Sequence, residues 1–176
     1  MKKVLSKAVP IVLICIFFVM LIIVSNKKGD NHIIEEEESF YVQVPEAQRF
    51  FSTDSSFSLL PSHNEKYKVI YVFASWCPSC SKHIGLIQEV KGEYEMSVIG
   101  LSWDENQENL KEWLAKNSNP FEEIGALSSD LVMELGVSVL PAVFIIDQTS
   151  KIVYHDEGDI DETQFKNVLD KIDAVY

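Results

Sequence analysis

A continuous apolar run, Val-Ile-Tyr-Val-Phe-Ala at residues 69–74, constrains the fold of this chain more than any other feature of its sequence. A run of this kind, bounded by Lys68 and Trp76, is typical of a strand that is buried on both faces. Such strands occur in sheets that carry helices on both sides. The sequence therefore predicts an α/β domain with this strand near the middle of the sheet.

The patterns around this strand alternate between strand and helix. A helix is expected from Cys77-Pro78 to about residue 95, because proline suits the first helical turn and apolar residues recur at 84, 87 and 90. Before the strand, residues 40–61 suit short strands or a hairpin, interrupted by Pro45 and by the polar stretch 52–56. The other predicted elements are a strand at 96–102, a helix at 104–117, a short helix at 128–136, strands at 142–147 and 152–154, and a closing helix at 161–172. This order predicts a parallel central sheet with an antiparallel edge, flanked by helices.

Residues 8–24 form an uncharged, strongly apolar run close to the length that a membrane-spanning helix needs. The run is followed by Lys27 and Lys28 rather than by a small-residue cleavage pattern, so an uncleaved anchor is favoured over a removable signal peptide. The positive-inside bias places the N-terminus in the cytoplasm. The predicted organisation is a membrane anchor at residues 1–25, an acidic linker at 26–39 and a globular domain at 40–176, outside the membrane.

Charge is distributed unevenly along the chain. Five of the 15 Lys and Arg residues lie in the first 28 positions, ahead of all 27 Asp and Glu residues, and the net charge is −12. An acidic domain repels nucleic acid, so no nucleic-acid partner is expected. Solubility is the favoured reason for this charge, and steering of a basic partner is the alternative.

The segment Trp76-Cys77-Pro78-Ser79-Cys80 stands where the buried strand meets the start of a helix. Unpaired amide donors and a partial positive charge at a helix start favour a thiolate, so Cys77 is the predicted nucleophile. Cys80, one turn later, is the predicted resolving thiol, which attacks the mixed disulfide between Cys77 and a substrate. This chemistry needs no cofactor beyond the redox-active disulfide Cys77–Cys80.

Two other roles are open to cysteines at this spacing. A structural disulfide would close so short a loop that it would stabilise the fold little. A zinc site would need a second pair, whereas the remaining cysteine, Cys15, lies in the apolar run and the four histidines lack ligand spacing. Redox chemistry is therefore favoured, and no metal site is predicted.

Three motifs resemble the thioredoxin superfamily, specifically its membrane-anchored periplasmic branch of DsbE/CcmG and TlpA type. They are Phe73-Ala-Ser-Trp-Cys-Pro-Ser-Cys80, Gly136-Val-Ser-Val-Leu-Pro141 and Phe144-Ile-Ile-Asp147. The resemblance covers about residues 40–176 and implies a thioredoxin-like fold. It also implies that Pro141 is a cis-proline facing the cysteine pair, that Leu140 offers backbone groups to an extended substrate, and that Trp76 flanks the nucleophile.

The same resemblance implies a function. Proteins of DsbE/CcmG type are dithiol reductases that keep the haem-binding cysteines of apocytochrome c reduced during cytochrome c maturation. Their electrons come from a membrane reductase of DsbD or CcdA type, and they are single-pass proteins of the bacterial inner membrane with the catalytic domain in the periplasm. Two alternatives share the fold: a general or DsbA-like disulfide oxidoreductase, and a copper-delivering binding protein, which would need three residues between its cysteines.

Three positions depart from the pattern of this branch. His83 stands where a glutamate usually follows the second cysteine by three residues, Ala142 stands where a glutamate follows the cis-proline, and Tyr71 replaces the buried aspartate of thioredoxin. A protonated His83, one turn after Cys80, would favour a thiolate, so it is a candidate modulator of the thiol pKa. A surface histidine without a role is the alternative.

The aromatic and acidic residues beyond the second strand are predicted to have structural roles. Trp103 and Trp113 are expected to be packing residues rather than functional ones. Asp104, Glu105 and Glu108 are expected to form a solvated acidic cluster at a helix start rather than a catalytic carboxylate pair.

Overall fold

A seven-stranded mixed sheet forms the centre of the computed structural model, which describes Val42, residues 46–94 and residues 96–175. The strands are β1 (Glu46–Arg49), β2 (Ser52–Ser58), β3 (Tyr67–Phe73), β4 (Ser97–Ser102), β5 (Glu123–Ala126), β6 (Ala142–Asp147) and β7 (Ile152–Glu157). The helices are α1 (Pro78–Glu93), α2 (Gln107–Asn117), α3 (Ser129–Leu135) and α4 (Glu162–Val175). The strands are arranged in the order β2-β1-β5-β4-β3-β6-β7.

The centre of the sheet is parallel, and both of its sides are antiparallel. β3, β4 and β5 run parallel to one another, β6 and β7 add antiparallel strands beyond β3, and β1 and β2 do so beyond β5. The predicted parallel centre is confirmed, but the antiparallel part is not confined to one edge. The sequence predicts no strand at β5, because a four-residue segment containing Glu123 and Gly125 shows neither alternation nor an apolar run.

β3 is buried on both faces, as predicted, and all seven of its residues are buried. Tyr71 and Phe73 pack in the apolar layer that contains residues of α1, α2 and α4. Ile70 and Val72 pack on the opposite face, with residues of α3. The strand is thereby held between two layers, and the chain leaves its carboxyl end directly into the cysteine segment.

Local capping sets the ends of the helices. Pro78 is the first residue of α1, as predicted. The Asn106 side chain accepts hydrogen bonds from two backbone amides, so α2 begins at Gln107, later than the predicted start at 104. Ser128 caps α3, and Gly136 ends that helix with a φ of 67°, both as predicted.

The N-terminal hairpin is longer than its polar sequence predicts. The stretch 52–56, expected to interrupt the strands, is part of β2, which pairs with β1 at the edge of the sheet. An edge strand has one side open to solvent, where polar residues are tolerated. The hairpin is therefore confirmed, whereas the predicted interruption is wrong.

The predicted anchor at residues 1–25 and linker at 26–39 lie outside the described residues. Within the part of the chain that the structure describes, no helix has the length and apolar character needed to span a membrane.

Candidate active site

The Cys77–Cys80 pair lies at the N-terminal end of α1, directly after β3. The two residues form a disulfide with their Cα atoms 5.3 Å apart. The Cys77 sulfur also caps the helix, because it accepts a hydrogen bond from the backbone N–H of Cys80 at 3.2 Å. The positive end of the helix therefore faces the Cys77 sulfur, and the same contact can stabilise a thiolate there when the disulfide is open.

Both cysteines are buried, and the surface beside Cys77 is exposed. Cys80 is fully buried and Cys77 is 4% exposed, whereas Trp76 beside it is 66% exposed. Pro78 is also exposed. A molecule that reaches the disulfide therefore approaches past the rim formed by Trp76 and Pro78, from the Cys77 side.

The loop before β6 contacts the same apolar layer as the disulfide. The Leu140–Pro141 peptide bond is cis, as the resemblance implies. Leu140 packs against the cluster that contains both cysteines, Pro141 is buried, and Val139 is 53% exposed. The structure thus places Leu140 against the same apolar cluster as the cysteine pair, while the part that Trp76, Leu140 and Pro141 play in substrate binding stays a prediction.

His83 is buried in α1, one turn after Cys80. Only 4% of the residue is exposed, so the alternative of a surface histidine is wrong. Its Nε2 atom lies 3.2 Å from Oδ1 of Asp159, in the loop after β7. The sequence offers no signal for this pairing, because the two residues are far apart along the chain and Asp159 belongs to no motif.

Tyr71 packs below the active-site helix. Its hydroxyl donates a hydrogen bond to the carbonyl oxygen of Cys80 at 3.2 Å, and the residue is fully buried. Burial raises the pKa of Tyr71 well above that of a free tyrosine. The position that holds a carboxylate in thioredoxin is therefore occupied here by a neutral hydroxyl at physiological pH.

Asp104 joins the two loops that follow β3 and β4. Its carboxylate accepts hydrogen bonds from the Ser75 backbone N–H at 2.8 Å, from the Ser75 hydroxyl at 2.5 Å and from the Ser102 hydroxyl at 2.7 Å. The expectation that Asp104 is solvated is wrong, although Glu105 and Glu108 are exposed as predicted. Asp104 fixes the residue two positions before Cys77, a role that only the parallel pairing of β3 with β4 makes possible.

The two tryptophans after β4 differ from each other. Trp113 packs as predicted: its ring stacks on Phe73 with centroids 4.9 Å apart, and its Nε1 donates to the Ser81 hydroxyl at 2.8 Å. Trp103 is 44% exposed, so its predicted packing role is wrong. It lies just beyond the end of β4, where its backbone N–H donates to the carbonyl of Phe73 and its ring is left at the surface.

Among the described residues, no group of three or more His, Cys, Asp or Glu side chains is arranged to hold a metal ion. The chemistry that this site supports is thiol-disulfide exchange, because its reactive group is a disulfide with one sulfur at a helix end and an accessible rim.

Comparisons with known proteins agree with this geometry. The AhpC/TSA family matches residues 43–155. The thiol:disulfide interchange protein DsbE of Xylella fastidiosa is 24% identical over 102 residues, which cover 57% of this chain and 52% of that protein. The thiol-disulfide oxidoreductase ResA of Bacillus thuringiensis is 24% identical over 132 residues, 72% of this chain and 76% of that protein. The chain spans about half the length of the DsbE proteins it matches.

Solved structures share the fold. A DsbF homologue from Corynebacterium diphtheriae aligns with a TM-score of 0.65 and 18% identity, covering 82% of this chain and 94% of that one. A putative thiol:disulfide interchange protein DsbE from Chlorobium tepidum aligns with a TM-score of 0.64 and 16% identity, covering 76% and 96%. The resemblance to the thioredoxin superfamily and its DsbE branch is confirmed, and the chain belongs to the AhpC/TSA family with a thioredoxin-like fold.

Proposed function

We propose that this protein is a membrane-anchored protein thiol-disulfide oxidoreductase that reduces substrate disulfides through Cys77 and Cys80. The observation that carries the proposal is the position of the Cys77–Cys80 disulfide at the start of α1, with the Cys77 sulfur accepting the Cys80 amide hydrogen. The DsbE and ResA names of its relatives support the same chemistry.

In the proposed reaction the reduced Cys77 thiolate attacks a disulfide sulfur of the substrate. A Cys77–substrate bond forms, and the second substrate sulfur leaves as a thiolate. Cys80 then attacks the Cys77 sulfur, closes the Cys77–Cys80 disulfide and releases the first substrate sulfur with the electron pair. A donor must reduce the pair again before the next cycle.

The cis-proline loop and the exposed tryptophan are the proposed substrate contacts. Trp76 offers an exposed ring next to the nucleophile, and Leu140 with Pro141 forms the loop that packs against the cysteine cluster. In this proposal, backbone groups of Leu140 pair with an extended substrate segment, which holds the substrate cysteine near Cys77. Pairing with backbone groups suits an unfolded polypeptide, because it requires no particular side chain.

The proposed substrate is apocytochrome c, and the proposed electron donor is a membrane reductase of DsbD or CcdA type. Both follow from the resemblance to the DsbE/CcmG branch. The proposed location is the periplasmic side of a bacterial inner membrane, with residues 1–25 as a single-pass anchor. Carbonate extraction should leave the intact chain with the membrane, and protease added to spheroplasts should digest its catalytic domain; a soluble product that starts near residue 26 would contradict the anchor.

Substrate trapping tests the proposed substrate. In Cys80→Ser the resolving step is blocked, so the Cys77–substrate disulfide should accumulate and can be identified by mass spectrometry. Cys77→Ser, which leaves the buried Cys80 and Cys15 of the apolar run, is the matched control and should trap nothing. Recovery of a c-type cytochrome precursor supports the proposal, whereas a broad mixture of proteins indicates a general oxidoreductase.

Equilibration with glutathione tests the direction of the exchange. Because Pro78 and Ser79 carry no charge, we expect modest thiolate stabilisation and a potential nearer that of thioredoxin, about −270 mV, than that of DsbA, about −120 mV. A wild-type value above about −160 mV would favour a DsbA-like oxidase instead. Measuring His83→Glu beside the wild type separates the contribution of His83, the proposed modulator of the thiols.

A further inference from the structure

The loop after β7 contacts the redox helix through one carboxylate. Oδ1 of Asp159 lies 3.2 Å from His83 Nε2 and 3.0 Å from Lys82 Nζ, two neighbouring residues of α1. His83 is buried, whereas the Asp159 and Lys82 side chains are largely exposed. The hydrogen bond and charge of Lys82 lower the pKa of Asp159, so the carboxylate that faces His83 is ionised at neutral pH.

The backbone on both sides of Asp159 is held in place. The N–H of Gly158 donates to the carbonyl of Pro141 at 2.7 Å, and Gly158 has a φ of 84°, which suits glycine. The N–H of Ile160 donates to the carbonyl of Gly158, and the Ile160 side chain is buried. Asp159 is therefore an exposed side chain on a fixed backbone, and that backbone is tied to the cis-proline loop.

The second ring nitrogen of His83 is enclosed by the protein rather than open to solvent. Nδ1 is buried and has no hydrogen-bond partner among the described residues. Side chains of a helix lean toward the preceding turn, so the His83 ring extends over the turn that contains Cys80, three residues earlier. When the Nε2–H group of a neutral His83 ring is donated to Asp159, the other nitrogen, Nδ1, carries the lone pair and can accept a hydrogen.

We propose that Asp159 is a positioning residue for the resolving step, holding His83 so that Nδ1 accepts the Cys80 proton. In that step the Cys80 hydrogen moves to Nδ1 while its sulfur attacks Cys77. The Cys77–Cys80 bond forms, the bond between Cys77 and the substrate breaks, and the electron pair leaves with the substrate thiolate, which takes up a proton from His83 or solvent. The inference rests on the proposed function, because it requires Cys80 to be the resolving thiol.

A reaction with dithionitrobenzoate separates the two chemical steps in the full-length protein. The reduced protein releases one coloured thiolate when Cys77 attacks the reagent and a second when Cys80 closes the disulfide. We expect Asp159→Asn to slow the second release about tenfold or more, because it weakens general-base catalysis that is typically worth about a hundredfold or more, and to leave the first within about twofold. His83→Gln should slow the second release at least as much, and the double variant no further. Asp159→Glu, which keeps a carboxylate, should recover part of the rate.

Glu89→Gln is the matched control, because it also removes a carboxylate that pairs α1 with another element: Glu89 of α1 contacts Lys166 of α4. It should leave both releases unchanged. Equal second-release rates in wild type and Asp159→Asn would overturn the positioning role. Failure of the proposed function is distinct, because it would appear as the absence of a Cys77-dependent first release in the wild type.

Discussion

At the scale of single residues, buried and partly buried polar contacts rather than additional reactive groups surround the cysteine pair. Asp104 ties the Ser75 loop to the end of β4, and Tyr71 ties the first turn of α1 to β3. Each contact holds a backbone segment that lies within five residues of a cysteine. The neutral Tyr71 hydroxyl and the hydrogen-bonded Asp104 carboxylate therefore hold the backbone around the nucleophile. The thiols remain the groups that react.

Replacing Asp104 by asparagine should weaken the loop before Cys77. The carboxylate accepts three hydrogen bonds, and an amide replaces these charge-assisted hydrogen bonds by weaker neutral ones, so we expect the free energy of unfolding to fall by about 1–2 kcal/mol. Urea denaturation measures this change. Glu105→Gln, an exposed neighbour, is the control and should change stability by less than about 0.5 kcal/mol. Equal losses in the two variants would contradict the bridging role of Asp104.

At the scale of secondary-structure elements, two glycines show how local geometry decides the effect of the same substitution. Gly136 ends α3 with a positive φ, and Gly85 lies on the exposed face of α1. A Cβ atom would meet nothing within 4 Å at either position. Backbone conformation alone therefore distinguishes the two sites.

Gly136→Ala should destabilise the protein by about 1 kcal/mol or more, because a side chain disfavours the left-handed conformation. Gly85→Ala should instead stabilise it by about 0.5–1 kcal/mol, since alanine loses less backbone entropy in a helix. Thermal or urea unfolding of the two variants beside the wild type checks the prediction. Two changes of the same sign would show that contacts absent from this structure dominate at one position.

At the scale of the whole molecule, the chain carries an excess of acidic residues, and one of their carboxylates is partly buried. The chain has a net charge of −12, yet Asp156 lies partly buried at the end of β7, where it accepts hydrogen bonds from the Tyr154 hydroxyl and the Glu157 amide. Burial raises the pKa of Asp156 above its ordinary value. The ionised form thus costs stability at neutral pH, and protonation removes that cost.

Asp156→Asn should change how stability varies with pH. The folded pKa of Asp156 is raised, so its ionisation penalises the folded state fully above that raised pKa, and the penalty disappears as pH falls toward the unfolded pKa. The free energy of unfolding of the variant minus that of the wild type should therefore be larger at pH 7 than at pH 3.5 or so. Urea denaturation across this range measures the difference. A difference that grows on acidification would contradict the prediction.

The sequence alone determined the features that depend on short-range signals. Each of these features is specified by a few neighbouring residues: the apolar run of β3, the proline at the start of α1, the serine and glycine at the two ends of α3, and the β6–β7 hairpin. Propensity, capping and turn chemistry act over the same distances, so these elements and the Cys77–Cys80 pair could be predicted.

Only the tertiary structure decided which distant residues meet. β5 becomes a strand because β4 and β1 supply hydrogen-bond partners on both sides, and Trp103 stays exposed because its position lies past the end of β4. The burial of His83 and its contact with Asp159 join segments separated by most of the domain. Such contacts depend on how whole elements pack. A local sequence pattern does not specify which distant residue a side chain will contact.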